Sequence, residues 1–551
     1  MNRRFFLLAT AAATLAAGPA VAALDGFVLL GGPIYIGDGE PPVQALVVRA
    51  GVVGFAGDET GARAISRGLQ VIDLKGAAAY PGLMDSHVHL TGVGLREMTL
   101  NLDQVKSLAE LVAATGAWDA ANPGQEPLVG RGWIETHWPE KRFPSRVDLD
   151  AVSATRPIVL GRADGHAMVL NSAALRLAGI DRTTKDPAGG RIERDASGEA
   201  TGILIDAAMA LIEPKLPALS YERRKAALAR GAALYAARGW TAAANMSTEA
   251  DDLRALTELA AEGRLPIRVD VFMTPEASAE VLKRGPWADP TGLVRVRGVK
   301  LYMDGALGSR GAALKAPYAD RPDSSGLTIA THDETLAIFR QALEVRAQIA
   351  AHAIGDRGNR LALDWMIEAF RTNGPGAAHT VWRIEHAQII DPADIPLFAK
   401  SGVVASMQPS HAIGDLYFAP ARLGEDRLRG AYAWKSLRDA GVVVAGGTDA
   451  PVEVGDPRIE FYAAVARKDL KGHAGADWHA EEALPRDEAL ALFTTAGAYA
   501  VQEIRRGTLE HGGFADITVF SADIMTIPEA DILTVKPLMT IVNGKIVHDV
   551  R

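Results

Sequence analysis

Two histidines separated by a single residue, His87 and His89, close an apolar run, AAYPGLMDSHVHL, at residues 78–90. On a β-strand, side chains two apart point to the same face, so these imidazoles project together. Neutral imidazole nitrogen is a ready ligand for a divalent metal. An isolated His-x-His pair on a strand is commonly fortuitous; this one is followed by further candidate ligands in similar settings. Lys300 lies within VRVRGVKLYMDG, His352 ends AQIAAH, His386 ends VWRIEH and Asp449 ends VVVAGGTD. Each of these short apolar runs leads into glycine, proline or a polar turn. The chain contains no cysteine, which leaves histidine, carboxylate or a modified lysine to hold any metal. Glu385 directly precedes His386, so strand alternation places it on the opposite face, packed against helices and away from metal.

The elements that must position these residues form an alternating series. Strands are expected at Leu83–His89, Trp240–Asn245, Ile267–Phe272, Val294–Met303, Ile349–His352, Trp382–His386, Val403–Gln408 and Val442–Asp449. From the second strand onward, helical patterns such as Tyr221–Arg238 and Glu334–Arg346 alternate with them. Eight strand–helix units imply an α/β fold with a closed (β/α)8, TIM-like barrel, whose active sites lie at the C-terminal strand ends. All the candidate ligands fall there except Lys300, which sits deeper in its strand. Residues 101–217 interrupt the alternation and are too long for a βα loop, so they are expected to form an insertion after the first barrel strand. Short alternating runs before residue 80 and after residue 501 predict strands at both chain ends, including a hairpin across Asn543-Gly544.

The order His-x-His, Lys, His, His, Asp, with the words KLYMDGALGSR, AHAIGDRGN, RIEHAQ, SMQPSH and GTDAPV, resembles the metal-dependent amidohydrolase superfamily. The resemblance is to its YtcJ-like, amidohydrolase 3 branch and runs from about Leu29 to His548. It implies a small β-sandwich built from both chain ends, residues 23–80 and 501–551, beside a barrel at 81–500. It implies two divalent metals, one on His87, His89 and Asp449 and the other on His352 and His386, with Lys300 bridging as a carbamate. The lysine shares a face with Val296 and Tyr302, pointing into the barrel. A buried, unpaired ammonium is costly, and a neutral amine can add carbon dioxide to become an anionic bridge. The alternative is a lysine paired with Asp304 or Asp449.

The same resemblance implies hydrolysis of a C–N bond beside a carbonyl, in an amide, formamide or carbamoyl-like small molecule, by metal-bound hydroxide. Asp449 would pass the proton to the leaving nitrogen. Zinc is the default metal, with manganese, iron or cobalt also compatible. His166 in the insertion, and Arg310 and His411 on loops over the barrel mouth, are the candidate substrate contacts; Arg310 has an ion pair within its own loop as the alternative. The same centre could cleave an ester or lactone. A non-catalytic binding protein on this scaffold is a third reading, weakened because all six ligand positions are filled.

Over 551 residues the formal net charge is −9, with 48% hydrophobic and 23% charged residues. That composition suits a soluble globular enzyme and argues against nucleic acid as a partner. The start, MNRRFFLLAT, followed by an alanine-rich stretch and Ala20-Val21-Ala22, reads as a signal peptide over 1–22. Its twin arginine points to the twin-arginine route and a periplasmic or secreted protein, with the general secretory route as the alternative. The run is short of the ~20 apolar residues that a membrane span needs. A small-molecule substrate is the expected partner, and a homo-oligomer is compatible with the sequence.

Overall fold

Eight parallel strands carry the candidate ligands. In the computed structural model, which describes residues 26–37, 39–103, 105–372, 380–475 and 478–551, they are β1 (Leu83–Val88), β2 (Trp240–Thr248), β3 (Arg268–Met273), β4 (Val294–Tyr302), β5 (Gln348–Ala353), β6 (Arg383–His386), β7 (Val404–Met407) and β8 (Val444–Gly446). The expected signal peptide lies outside the described residues. Each strand pairs in parallel with the next in sequence. The ring closes between β8 and β1, where Val88 bridges Ala450. There the Asp449 N–H donates to the His87 carbonyl at 2.7 Å, and the His89 N–H to that of Ala450 at 2.9 Å. This is a TIM-like α/β barrel. Its strands are mostly apolar because helices cover their outer faces, as in other all-parallel sheets. The helix Tyr221–Arg238 occupies the expected span, with the Ser220 side chain capping its start and left-handed Gly239 ending it.

The strand expected at Val442–Asp449 is shorter, for a reason that matters to the site. After Gly446 the chain turns in against β1. A Cβ on Gly447 would lie 2.6 Å from the His87 nitrogen, so only glycine permits this approach. Asp449 then adopts φ 55°, outside strand geometry.

The two chain ends form one eight-stranded sheet. Ala78–Pro81 pairs antiparallel with Ile517–Phe520, joining the strands before the barrel to those after it. Phe27, Leu29 and Leu46 from one end share an apolar cluster with Ile517, Met539 and Ile541 from the other. The C-terminal hairpin turns at Asn543 and Gly544, both with positive φ, as a two-residue turn requires. This sheet is tied to the barrel by Arg268, which donates to Asp516 at 2.7 Å. At the same end, Asp270 accepts from Arg297 of β4 and from Arg506.

Residues 100–206 contribute a separate six-stranded sheet, packed around Trp133 and Trp138, between β1 and the Tyr221–Arg238 helix. Among the described residues no helix is long and apolar enough to cross a membrane.

Candidate metal centre

His87, His89 and Asp449 converge at the C-terminal mouth of the barrel. One ligand atom from each lies within 4.8 Å of the others. Asp449 Oδ1 is 3.4 Å from His87 Nε2 and 3.3 Å from His89 Nε2. Asp85, two residues before His87, fixes this junction. Its buried carboxylate accepts from the Thr448 hydroxyl at 2.6 Å, the Thr448 N–H at 2.9 Å, the His87 N–H at 3.0 Å and the Tyr235 hydroxyl at 2.8 Å. Burial pushes the Asp85 carboxyl up to about 6 despite these donors.

His352 and His386 complete the cluster. Their ring centroids are 4.6 Å apart, and His386 lies 4.8 Å from His87. Lys300 is buried on β4, with its ammonium 4.2 Å from the Tyr302 ring centroid. Neither carboxylate considered as its partner pairs with it. Asp304 accepts from the backbone N–H groups of Ala313, Ile354 and Gly355, tying together the loops after β4 and β5. Asp449 faces the histidines. Among the described residues, no carboxylate forms an ion pair with Lys300.

Glu385 corrects the sequence reading. It is fully buried, and its Oε2 lies 2.6 Å from His87 Nδ1. Arg383, two residues earlier and so on the same face, donates to Glu385, to the Ser406 hydroxyl and to the Ser86 carbonyl. Alternation in β6 holds through Glu385 and breaks at His386, whose φ is 73°. The left-handed backbone lets two consecutive residues, Glu385 and His386, both serve the barrel interior. Only a backbone angle carries that information; no pattern of residue types does.

These contacts prepare the imidazoles to bind metal. Burial opposes ionisation of Glu385, but the Arg383 guanidinium holds its carboxyl down at about 2, so it stays ionised and accepts a hydrogen bond from His87 Nδ1–H. The opposite nitrogen, His87 Nε2, is buried without a hydrogen-bond partner. An orphaned lone pair facing a carboxylate and another imidazole fits a cation. Burial lowers the His87 imidazole to about 4 and pushes His352 and His386 well below the ordinary histidine range, so all three are neutral at pH 7. His386 Nδ1 is likewise engaged, 2.8 Å from the Gln408 side-chain oxygen. Burial alone would raise Asp449, but His87, His89 and His386 hold it well below the usual carboxylate range. The donor set therefore fits divalent metal: neutral nitrogens, an ionised oxygen, and outer partners that fix each ring.

The candidate substrate contacts divide. His166 reaches the site from the insertion, its ring centroid 5.6 Å from that of His352 and its Nδ1 2.8 Å from Asp206. Burial disfavours the imidazolium, but Asp206 outweighs it and raises His166. His411, on the helix Pro409–Asp415, places Nε2 3.8 Å from both Asp449 and Glu453, buried and without a hydrogen bond. Arg310 does not join them. It donates to Asp320 at 3.1 and 2.8 Å, so the loop ion pair is the reading that the structure favours. The cavity over the centre has two lobes that share Asp164, His166, Asp449 and Val452. One, of about 190 Å³, runs toward His411, Asp415 and Glu453; the other runs past Lys300, His352 and His386 to Arg131. Sequence reasoning missed Asp85, Arg383, Gln408 and Arg131. Asp85, Arg383 and Gln408 lay inside the quoted words, at positions given no role, whereas Arg131 lay in none.

Comparison with known proteins agrees with this architecture. A family model described as the amidohydrolase family matches residues 70–548. The chain is 35% identical over 490 residues to the putative amidohydrolase YtcJ of Bacillus subtilis, covering 87% of this chain and 90% of that one. It is 27% identical over 519 residues to an N-substituted formamide deformylase of Arthrobacter pascens, covering 91% and 94%. A crystal structure of an uncharacterised metal-dependent hydrolase from Pyrococcus horikoshii superposes with a TM-score of 0.75 at 29% identity, covering 92% of this chain and 99% of that one. With its motifs, barrel and histidine cluster in agreement, this chain belongs to the amidohydrolase family of metal-dependent hydrolases that act on carbon–nitrogen bonds.

Proposed function

We propose that this protein is an exported amidohydrolase with a two-metal centre, zinc by default, that cleaves an amide, formamide or carbamoyl-like bond of a small molecule. The observation that carries the reading is the convergence of His87, His89, Asp449, His352 and His386 around the buried Lys300, which forms no ion pair among the described residues. His87, His89 and Asp449 would hold one ion, His352 and His386 the other, and Lys300, as a carbamate, would bridge them. Bound divalent metal supplies Lewis acidity, which polarises a carbonyl and makes water a stronger acid.

The remaining work belongs to the chain's own side chains. Asp449 is ionised at neutral pH and lies at the junction of both lobes, where it can accept a proton from water and return it to the departing nitrogen. His166 and His411 flank it and can orient a carbonyl or its substituents. The Glu385–Arg383 pair fixes His87. The insertion lines both lobes and contributes substrate contacts. The twin arginine and the small-residue cleavage site support export, with a mature chain beginning near Ala23.

The similarity to a formamide deformylase supports testing formamides first. The experiment is an activity screen of metal-reconstituted protein against N-substituted formamides, N-acyl amino acids, carbamates, esters and lactones. Turnover of C–N substrates, abolished by chelation, is the expected result. Turnover confined to esters or lactones would overturn the proposal in favour of the esterase reading.

A further inference from the structure

Arg131 lies on the insertion strand Leu128–Trp133, between Asn101 on one neighbour and Gly161 on the other. The strand carries a register shift between Arg131 and Trp133, at Gly132, which has φ 116°. Such bulges re-aim side chains beside functional sites. A Cβ on Gly132 would lie 2.1 Å from Asp103 Oδ1, so the bulge requires glycine. The Arg131 side chain enters the same lobe as His89, Lys300, His352 and Asp449. Gly165, with φ 73°, leaves room for it: a Cβ there would stand 3.3 Å from Arg131 Nη2.

The guanidinium is held but not neutralised. Nη2 donates to the Ala163 carbonyl at 2.8 Å, and Nε is buried without a partner. Asp449, Asp164 and Asp103 act on it at longer range, and none forms an ion pair with it. Other guanidiniums around the cavity are engaged. Arg162 pairs with Glu135 and Asp164, Arg310 and Arg422 share Asp320, and Arg96 donates to the carbonyls of Glu453 and Val454. A guanidinium stays charged and presents a planar fork suited to a carboxylate.

We infer that Arg131 is the anion subsite of this centre and selects substrates that carry a carboxylate near the scissile bond. The inference rests on the amide-cleaving reading and gives the insertion a specific task. The carboxylate-bearing part of the substrate would enter the lobe on the Lys300 and His352 side, leaving the lobe at His411 and Glu453 for the remainder.

The test compares N-acetyl amino acids, of both hands and with small and aromatic side chains, with their neutral carboxamides. Binding to metal-reconstituted protein is measured by calorimetry and turnover by amine release. Wild type should bind and cleave the acids in preference. Arg131→Met should weaken the acids about 10- to 100-fold, mainly in KM and Kd, and leave the carboxamides unchanged. Arg131→Lys should recover part of the loss. Metal content and melting temperature serve as checks on folding. Equal losses for acid and carboxamide would overturn the inference, as would a wild type with no preference for any acid. A wild type that binds acids through Arg131 but cleaves no amide would retain the anion subsite and refute the amide-cleaving reading instead.

Discussion

The His87 imidazole and the Glu385 carboxylate are 298 residues apart in the chain and 2.6 Å apart in space. Glu385 accepts a hydrogen bond from Nδ1–H and so dictates which nitrogen faces the metal position. It is itself held by Arg383, and all three side chains are buried. Glu385→Gln removes the charge while keeping the shape. Partners of this kind contribute about 10- to 100-fold to metal affinity. The expected outcome is a loss of that size in binding at the His87 position, measured by equilibrium dialysis against buffered metal, with the barrel still folded. Unchanged affinity would mean that packing alone orients His87.

Asp270 gives a pH-dependent prediction away from the metals. Burial alone would raise its carboxyl, but Arg506 and Arg297 hold it down at about 2, against an ordinary 3.8. Its folded value is the lower one, so its contribution to stability is complete above about 4 and disappears as pH falls toward 2. Asp270→Asn leaves the buried Arg506 and the partly buried Arg297 short of a charge, and losses from breaking buried pairs run to about 3–5 kcal/mol. Melting curves at neutral pH should show this deficit. The gap between variant and wild type should narrow between pH 4 and pH 2. A gap independent of pH would assign the effect to packing.

Much of the barrel was legible because its strands are short apolar runs at regular spacing. The candidate ligands other than Lys300 were legible because they end those runs. The contacts behind the ligands were not. Glu385 reads as outward-facing until the left-handed backbone at His386 is known, and Arg383 follows from Glu385. Arg310 and Arg131 look equivalent as residue types, yet one is paired with Asp320 and the other is not. That distinction depends on loop paths in three dimensions. The sheet at the chain ends was legible as strands at each end, whereas their pairing through Ala78–Pro81 and Ile517–Phe520 joins distant parts of the chain.

Metal should be indispensable. We expect about two divalent ions per chain by elemental analysis, and activity that falls to background after chelation and returns on reconstitution. Undiminished activity in metal-stripped protein would remove the basis for the proposed chemistry.

Asp449→Asn separates holding metal from moving protons. The amide keeps a neutral oxygen donor beside His87 and His89 but is a far weaker base. Turnover should fall by about 10²–10⁴, the usual scale of general acid–base groups, while most of the metal is retained. Near-normal turnover would reduce Asp449 to a ligand. Metal content and kcat must be read on the same preparation, because loss of metal would produce the same inactivity by another route.

Lys300 separates a carbamate bridge from an ordinary buried lysine. Its ammonium lies over the Tyr302 ring and, among the described residues, has no carboxylate paired to it, so a buried cation close to metal ligands lacks a counter-charge. Loss of one proton gives the neutral amine; its addition to carbon dioxide forms an N–C bond, releases a second proton and leaves an anion with two oxygens. Lys300→Ala should then lower metal content and activity together. Acetate or propionate should restore part of both by supplying a carboxylate in the vacated space, whereas chloride should not. Lys300→Arg should fail, because a guanidinium stays charged and does not undergo this reaction. If Lys300 acts only as a positive charge, the arginine variant should retain substantial activity and short acids should have no effect. A crystal structure of metal-loaded protein decides between them at one atom: a planar group on Nζ supports the bridge, and a bare amine beside two bound metals refutes it.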